Sequence, residues 1–280
     1  MAKAAESEEL AGLDDEREEE ESSLPEGASA YVSKVPRDVP RGTRAEALDL
    51  IFQTAEEDGE GFRHGALGAP RYGKTYHLIE VAREALNRGI ADLLLIHDCK
   101  RLEVQYTDWG PDSVRIDRAD LESGRGPLAE DDPPVLVFHG QPELGRKCAV
   151  EEVAALGLEQ GRSGTGTLVL VDELYQGMKA RQTWAGPSFA ECLREGSSQR
   201  VSTAWTTQIP QSLPTEAMDL TETIAVFRLK RRSLRYARKM LELDQDEEGA
   251  RAVEIIGALG RGEFILITDD GWNGIVYGPK

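Results

Sequence analysis

The segments Leu93-Leu94-Leu95-Ile96 and Leu168-Val169-Leu170-Val171 are apolar at every position. A strand with one wet face alternates apolar and polar residues. A run without alternation therefore belongs to a strand covered on both faces. Further strands are expected at Phe62–Leu67, Ser113–Ile116, Val135–Phe138, Val201–Thr206, Thr223–Leu229 and Glu263–Thr268. Between them lie segments with helical spacing: residues 43–57, Lys74–Arg88, Val150–Gln160, Pro187–Glu195, Leu234–Leu243 and Gly249–Leu259. Buried strands separated by helices predict an α/β fold, a mostly parallel sheet sandwiched by helices.

Charge divides the chain before its fold does. Residues 1–30 hold eleven acidic and two basic side chains, a net of −9, which is half of the total of −18. Such a stretch buries too little apolar surface to offset its ordering entropy. The expected organisation is an acidic disordered tail over 1–38, a linker and N-terminal helix over 39–61, and one α/β domain over 62–280. No apolar run approaches the roughly 20 residues of a membrane helix. The N-terminus has no apolar core of a signal peptide, so a cytosolic setting is expected, with no direct membrane insertion. Cys99, Cys148 and Cys192 are far apart and lack metal-ligand spacing.

The stretch Gly68-Ala69-Pro70-Arg71-Tyr72-Gly73-Lys74-Thr75 fits G-x-x-x-x-G-K-[ST], with Tyr76 next. It lies between an expected strand and an expected helix, as the motif requires. Glycines let the backbone fold so that its N–H groups converge on phosphate oxygens. The start of the following helix adds unpaired donors and partial positive charge. Lys74 can reach the β- and γ-phosphates of ATP, and the Thr75 hydroxyl can hold Mg²⁺.

Hydrolysis also needs a metal-holding carboxylate and a group that activates water. Asp172 and Glu173 follow the apolar run 168–171 and emerge where a strand of an open sheet meets its ligands. Asp172 is assigned to Mg²⁺ and Glu173 to the attacking water. The segments between the two motifs suggest a strand inserted between the loop strand and the Asp172 strand. After the next strand comes Thr206-Thr207-Gln208-Ile209-Pro210. Gln208, with Thr207 as its neighbour, is a candidate sensor of the terminal phosphate, and ordinary turn chemistry is the alternative.

Five stretches together resemble the FtsK/HerA superfamily of DNA-pumping ATPases: GAPRYGKT at 68–75, LLLIHDCK at 93–100, LVLVDE at 168–173, STAWTTQIPQSLP at 202–214 and GRGEFILIT at 260–268. Asp98 and Lys100 match its Asp-x-Lys, and Thr207, Gln208 and Pro210 match its Thr-Gln and following proline. Within the superfamily the compact chain resembles the genome-packaging ATPases of tectivirus-type viruses. The resemblance implies an additional-strand, RecA-like P-loop NTPase. It also implies a homo-oligomeric ring, commonly a hexamer, that pumps double-stranded DNA into a capsid at a vertex protein in a host cytoplasm.

Rings of this kind complete the site with an arginine from the neighbouring subunit. Arg181, Arg194 and Arg200 lie in the right interval, with Arg194 and Arg200 the candidates. Lys230, Arg231, Arg232, Arg235, Arg238 and Lys239 form the strongest basic run and are candidate DNA contacts. A solvated face paired with the acidic body is the alternative. The loops after 100 and 174, with Lys179 and Arg181 in the second, compete for that role. Two other functions fit less of the pattern: a protein-directed assembly or secretion ATPase of the same superfamily, and a P-loop kinase.

Overall fold

The computed structural model describes residues 32–98, 113–116, 134–139, 146–174, 186–243 and 246–279. Residues 1–31 of the acidic tail, Cys99, Lys100, Lys179 and Arg181 lie outside these residues. One compact unit spans Ser33–Lys280.

Ten strands form one sheet. They are β1 (Arg41–Thr43), β2 (Arg63–Leu67), β3 (Leu93–Asp98), β4 (Ser113–Ile116), β5 (Val135–His139), β6 (Thr167–Val171), β7 (Val201–Thr207), β8 (Thr223–Phe227), β9 (Phe264–Thr268) and β10 (Gly271–Gly278). The spatial order is β1-β10-β9-β8-β2-β7-β6-β3-β5-β4. From β8 to β4 every pairing is parallel, while β9 runs antiparallel to both β8 and β10.

The apolar runs divide their side chains between two cores. Leu93, Leu95, Val169 and Val171 enter one, and Leu94, Ile96, Leu168 and Leu170 enter the other. Burial on both faces explains why neither strand alternates. The helices α1 (Arg44–Asp58) and α2 (Lys74–Asn87) cover the second core. The first is covered by α3 (Arg146–Arg162), α4 (Pro187–Glu195), α6 (Arg231–Met240) and α7 (Glu247–Ala258), and the short α5 (Thr215–Asp219) also packs there. Thr43 caps α1 through a reciprocal capping box with Glu46.

Several elements differ from the expectation. Residues 33–43 are part of the compact unit: Val35 and Val39 are buried, and the Lys34 N–H donates to the Ala258 carbonyl at 2.8 Å. The edge strand β1 is three residues long, too short to show a period. β10 was not expected, because Gly271 and Gly274 at positive φ interrupt any apolar pattern. α6 begins at Arg231, three residues before its first apolar contact, because its exposed basic turn carries no hydrophobic signal. Cys192 is buried, which pushes its thiol up to about 12, as suits a packing role.

Candidate functional site

β7 lies between β2 and β6, with Leu67 opposite Thr207 and Val171 opposite Trp205. The C-terminal ends of three adjacent parallel strands therefore bring together the glycine-rich loop after β2, the Asp172-Glu173 pair after β6 and Gln208 after β7. In parallel α/β sheets this is the edge that binds ligands.

The loop is pinned at both ends. The Gly68 N–H donates to the Thr207 carbonyl at 3.2 Å, and the Ala69 N–H donates to the Arg228 carbonyl at 2.8 Å. A side chain at Gly68 would place its Cβ 2.6 Å from Cβ of Phe227, so only glycine fits. Gly73 has φ 106°, and its Cβ would approach Cα of Gly262 to 3.3 Å. The Gly262 N–H donates to the Tyr72 carbonyl at 3.0 Å. The Gly260-Arg261-Gly262 turn is thus laced onto the loop backbone, a structural reason for glycines in the GRGEFILIT stretch.

Gly73 starts α2 without a side-chain cap, and no acidic residue stands in the first turn. The first N–H groups of a helix have no partner within it, as anion sites require, and Gly73, Lys74, Thr75 and Tyr76 at this start line a cleft. Lys74 is only 5% exposed, and its Nζ donates to the Ala69 carbonyl at 3.0 Å, within the loop itself. Arg71 takes a left-handed conformation with φ 67° and is exposed.

Asp172 and Glu173 are both buried. One hydroxyl links them: Thr206 Oγ1 donates to Asp172 Oδ1 at 2.8 Å and accepts from the Glu173 N–H at 2.8 Å. Glu173 is held at φ 53°, a strained conformation for a residue with a side chain. Its carboxylate accepts from the Gln208 N–H at 3.2 Å and also from the Gln208 side-chain amide. The candidate water-activating group and the candidate sensor are therefore in direct contact. Thr207 Oγ1 accepts from the Ile209 N–H at 3.2 Å, which is turn chemistry.

Pro70, Arg71, Gly73, Lys74, Thr75, Tyr76 and Gln208 line one cleft of about 550 Å³. Arg44, Arg261, Gly262 and Pro279 complete its wall. The volume lies within the roughly 300–1,000 Å³ typical of small-molecule sites. The Thr75 hydroxyl and the Asp172 carboxylate are hard oxygen donors, a set that suits Mg²⁺ beside phosphate. Together with the glycine cradle, the residues fit a nucleoside triphosphate and its metal.

Sequence reasoning missed Thr206, Arg44, Gly262 and Pro279 at this site. Thr206 and Gly262 lay inside stretches already singled out, whereas Arg44 and Pro279 carried no signal. Arg194, on the last turn of α4, pairs with Glu216. Arg200, with φ 59°, donates from Nη1 to the Gly164 carbonyl at 2.7 Å and lies 3.6 Å from Asp92. Arg200 immediately precedes β7, whereas the cleft lies beyond its end, about 20 Å along the strand. It does not line this cleft. Lys230, Arg231, Arg232, Arg235, Arg238 and Lys239 are all exposed, and none makes an ion pair among the described residues. Ala237 is buried on the opposite side of α6, with Leu234 and Met240 packed beside it.

A glycine-rich loop between strand and helix, a carboxylate pair two strands away and a polar strand tip between them define a P-loop NTPase fold with an additional strand. Solved structures share this fold. The genome packaging NTPase B204 from Sulfolobus turreted icosahedral virus 2, in complex with AMPPCP, superposes with a TM-score of 0.61 at 16% identity, covering 79% of this chain and 98% of that one. VirB4 of Thermoanaerobacter pseudethanolicus gives 0.59 at 10% identity over 75% and 87% of the two chains. The bacterial conjugative coupling protein TrwBdeltaN70 gives 0.57 at 11% over 90% and 94%. No protein-family profile and no curated protein sequence matches the chain. Among the described residues, no helix is long and apolar enough to cross a membrane.

Proposed function

We propose that this protein is an ATPase that couples ATP hydrolysis to DNA movement, with packaging of double-stranded viral DNA into a preformed capsid as its task. The observation that carries the ATPase reading is the contact of Glu173 with Gln208 at the tip of the strand that separates the glycine loop from Asp172.

The loop amides and Lys74 bind the β- and γ-phosphates. Lys74 gives up the Ala69 carbonyl for phosphate oxygen, a stronger charge-assisted partner. Thr75 and Asp172 would hold Mg²⁺, which neutralises charge on the phosphate oxygens when bound. Thr206 fixes the direction of Asp172 and, through the Glu173 N–H, the strained turn of Glu173. The water oxygen attacks the γ-phosphorus, the bond to the β-phosphate oxygen breaks, and the water's proton passes to the Glu173 carboxylate. Gln208 holds that carboxylate and lines the cleft, so the presence of the γ-phosphate alters its contacts.

The DNA reading rests on α6. Its basic face is exposed and unneutralised among the described residues, which suits phosphate contacts that ignore sequence. α6 packs against the short turn Pro210–Ser212, one residue after Gln208, so a change at the sensor has a short path to the basic face. The likeness to the packaging NTPase B204 supports the packaging task. A homo-oligomeric ring, commonly a hexamer, in the host cytoplasm or at a capsid vertex completes the proposal, with Arg200 or Arg194 acting on a neighbour's cleft. The comparable likeness to VirB4 and to a conjugative coupling protein favours a protein-directed or conjugative ATPase as the second reading.

The deciding experiment is ATP turnover with and without double-stranded DNA, beside Lys74→Ala as the inactive control. DNA-stimulated turnover and ring-shaped particles by electron microscopy are expected. Turnover indifferent to DNA would favour the protein-directed reading, and no turnover would end the ATPase reading.

A further inference from the structure

The cleft is walled by more than the loop. Arg44 at the start of α1, Tyr76 on the first turn of α2 and Pro279 after β10 also line it. If phosphates sit at the loop, the space beside these three is left for the rest of a nucleotide, so its role rests on the nucleotide reading.

Arg44 is fixed from several sides. Its guanidinium pairs with Glu80, donates from Nη2 to the Gly262 carbonyl at 3.3 Å, and lies 4.9 Å over the Tyr76 ring. These contacts occupy both terminal nitrogens and set the plane of the group. The Nε–H is different: it is buried and meets no acceptor among the described residues. A buried donor without an acceptor is costly, and it meets a ligand acceptor in the adjoining cleft only when the Arg44 side chain turns. Tyr76 is 54% exposed at the cleft wall, an aromatic surface open to a flat partner. Gly262 keeps the opposite edge close, since a Cβ there would lie 3.2 Å from Arg44 Nη2 and 3.4 Å from Pro279.

We propose that the Arg44–Tyr76 pair, bounded by Gly262 and Pro279, is the seat of the nucleobase. The base stacks on the pair. A stacked guanidinium and an aromatic ring both favour a planar π-system. The seat distinguishes a nucleoside triphosphate from a bare triphosphate.

The test is calorimetric binding of ATP and of inorganic tripolyphosphate, each with Mg²⁺, to the full chain. Wild-type protein should bind ATP on the order of 10-fold or more tightly than tripolyphosphate, the scale of one base–aromatic stack. Tyr76→Ala should weaken ATP by about that factor and leave tripolyphosphate within about twofold, whereas Tyr76→Phe retains the wild-type preference. Unchanged ATP affinity in Tyr76→Ala would overturn the seat. So would equal weakening of both ligands, which would place Tyr76 in the service of the phosphates alone. Binding of neither ligand by the wild type would remove the nucleotide reading, and the seat with it.

Discussion

Acidification should destabilise this fold through two histidines beneath the phosphate loop. His64 on β2 and His77 on α2 are both buried, with their Nε2 atoms 2.9 Å apart, and His64 Nδ1 lies 2.8 Å from Thr223 Oγ1. Of the two facing nitrogens one donates and the other accepts, an arrangement that two neutral rings make and that charge on both rings would break, since both nitrogens would then be donors. The pair ties strand to helix across the loop. His77 also packs against the rings of Phe227 and Phe264. Burial lowers the His64 pKa to about 3. Burial first, then His64 and Arg44, hold His77 well below its ordinary value. Folded values below the unfolded value of about 6.5 mean that the unfolded chain takes up protons first as pH falls. The contribution is therefore complete above pH ~6.5 and is lost progressively below it. From pH 7 to pH 5 the His64 ring costs about 2 kcal/mol, and His77 adds to the loss in the same direction, against the roughly 5–15 kcal/mol that holds a typical domain together. Urea titrations at the two pH values measure the total loss. The same titrations on the double variant His64→Val/His77→Phe, which replaces both partners by apolar shapes, isolate the pair from the carboxylates. NMR of the imidazole nitrogens in the folded protein offers a check without substitution. Rings that titrate near pH 6.5 while the protein is folded, or a variant with an unaltered pH slope, would refute the reasoning.

Glu173→Gln should retain ATP binding while turnover falls by about 10²–10⁴, the scale of one general base, read by nucleotide binding beside steady-state hydrolysis. Normal turnover would transfer the role to another group. Gly68→Ala should cost about 1–3 kcal/mol, because its methyl would meet Phe227 Cβ at 2.6 Å. Thermal melting and ATP affinity should fall together, since Phe227 and the loop must separate to admit it. Arg235→Glu/Arg238→Glu should weaken DNA binding uniformly across sequences and flatten the salt dependence by about two phosphate contacts. Unaltered binding would move the DNA contact to the loops after residues 100 and 174.

How much of this was legible beforehand varied with the kind of signal. Leu93–Ile96 and Leu168–Val171 declared two-sided burial because a strand with a wet face would have to alternate. The loop at 68–75 was legible because each fixed residue type answers a local demand of the backbone or a phosphate. Glu173 and Gln208 were separately visible at strand tips, but their contact was not. An inserted strand was expected from the segments between the two motifs, but the strand that inserts between β2 and β6 is β7, which follows both, a choice made by the packing of whole strands. β1 and β10 escaped notice because short or glycine-interrupted edge strands bury too little on one face to set a period.

The chain by itself determined which residues could grip a phosphate and which strands were covered on both sides. These are properties of neighbours in sequence, set by backbone geometry and side-chain hydrophobicity. Only the tertiary structure decided that Arg44, Gly262 and Pro279 wall the cleft and that His64 meets His77. It alone set one threonine hydroxyl between Asp172 and Glu173. Those encounters join residues as much as 235 positions apart, from Arg44 to Pro279. Such distant residues meet only when sheet order and helix packing carry their backbones together.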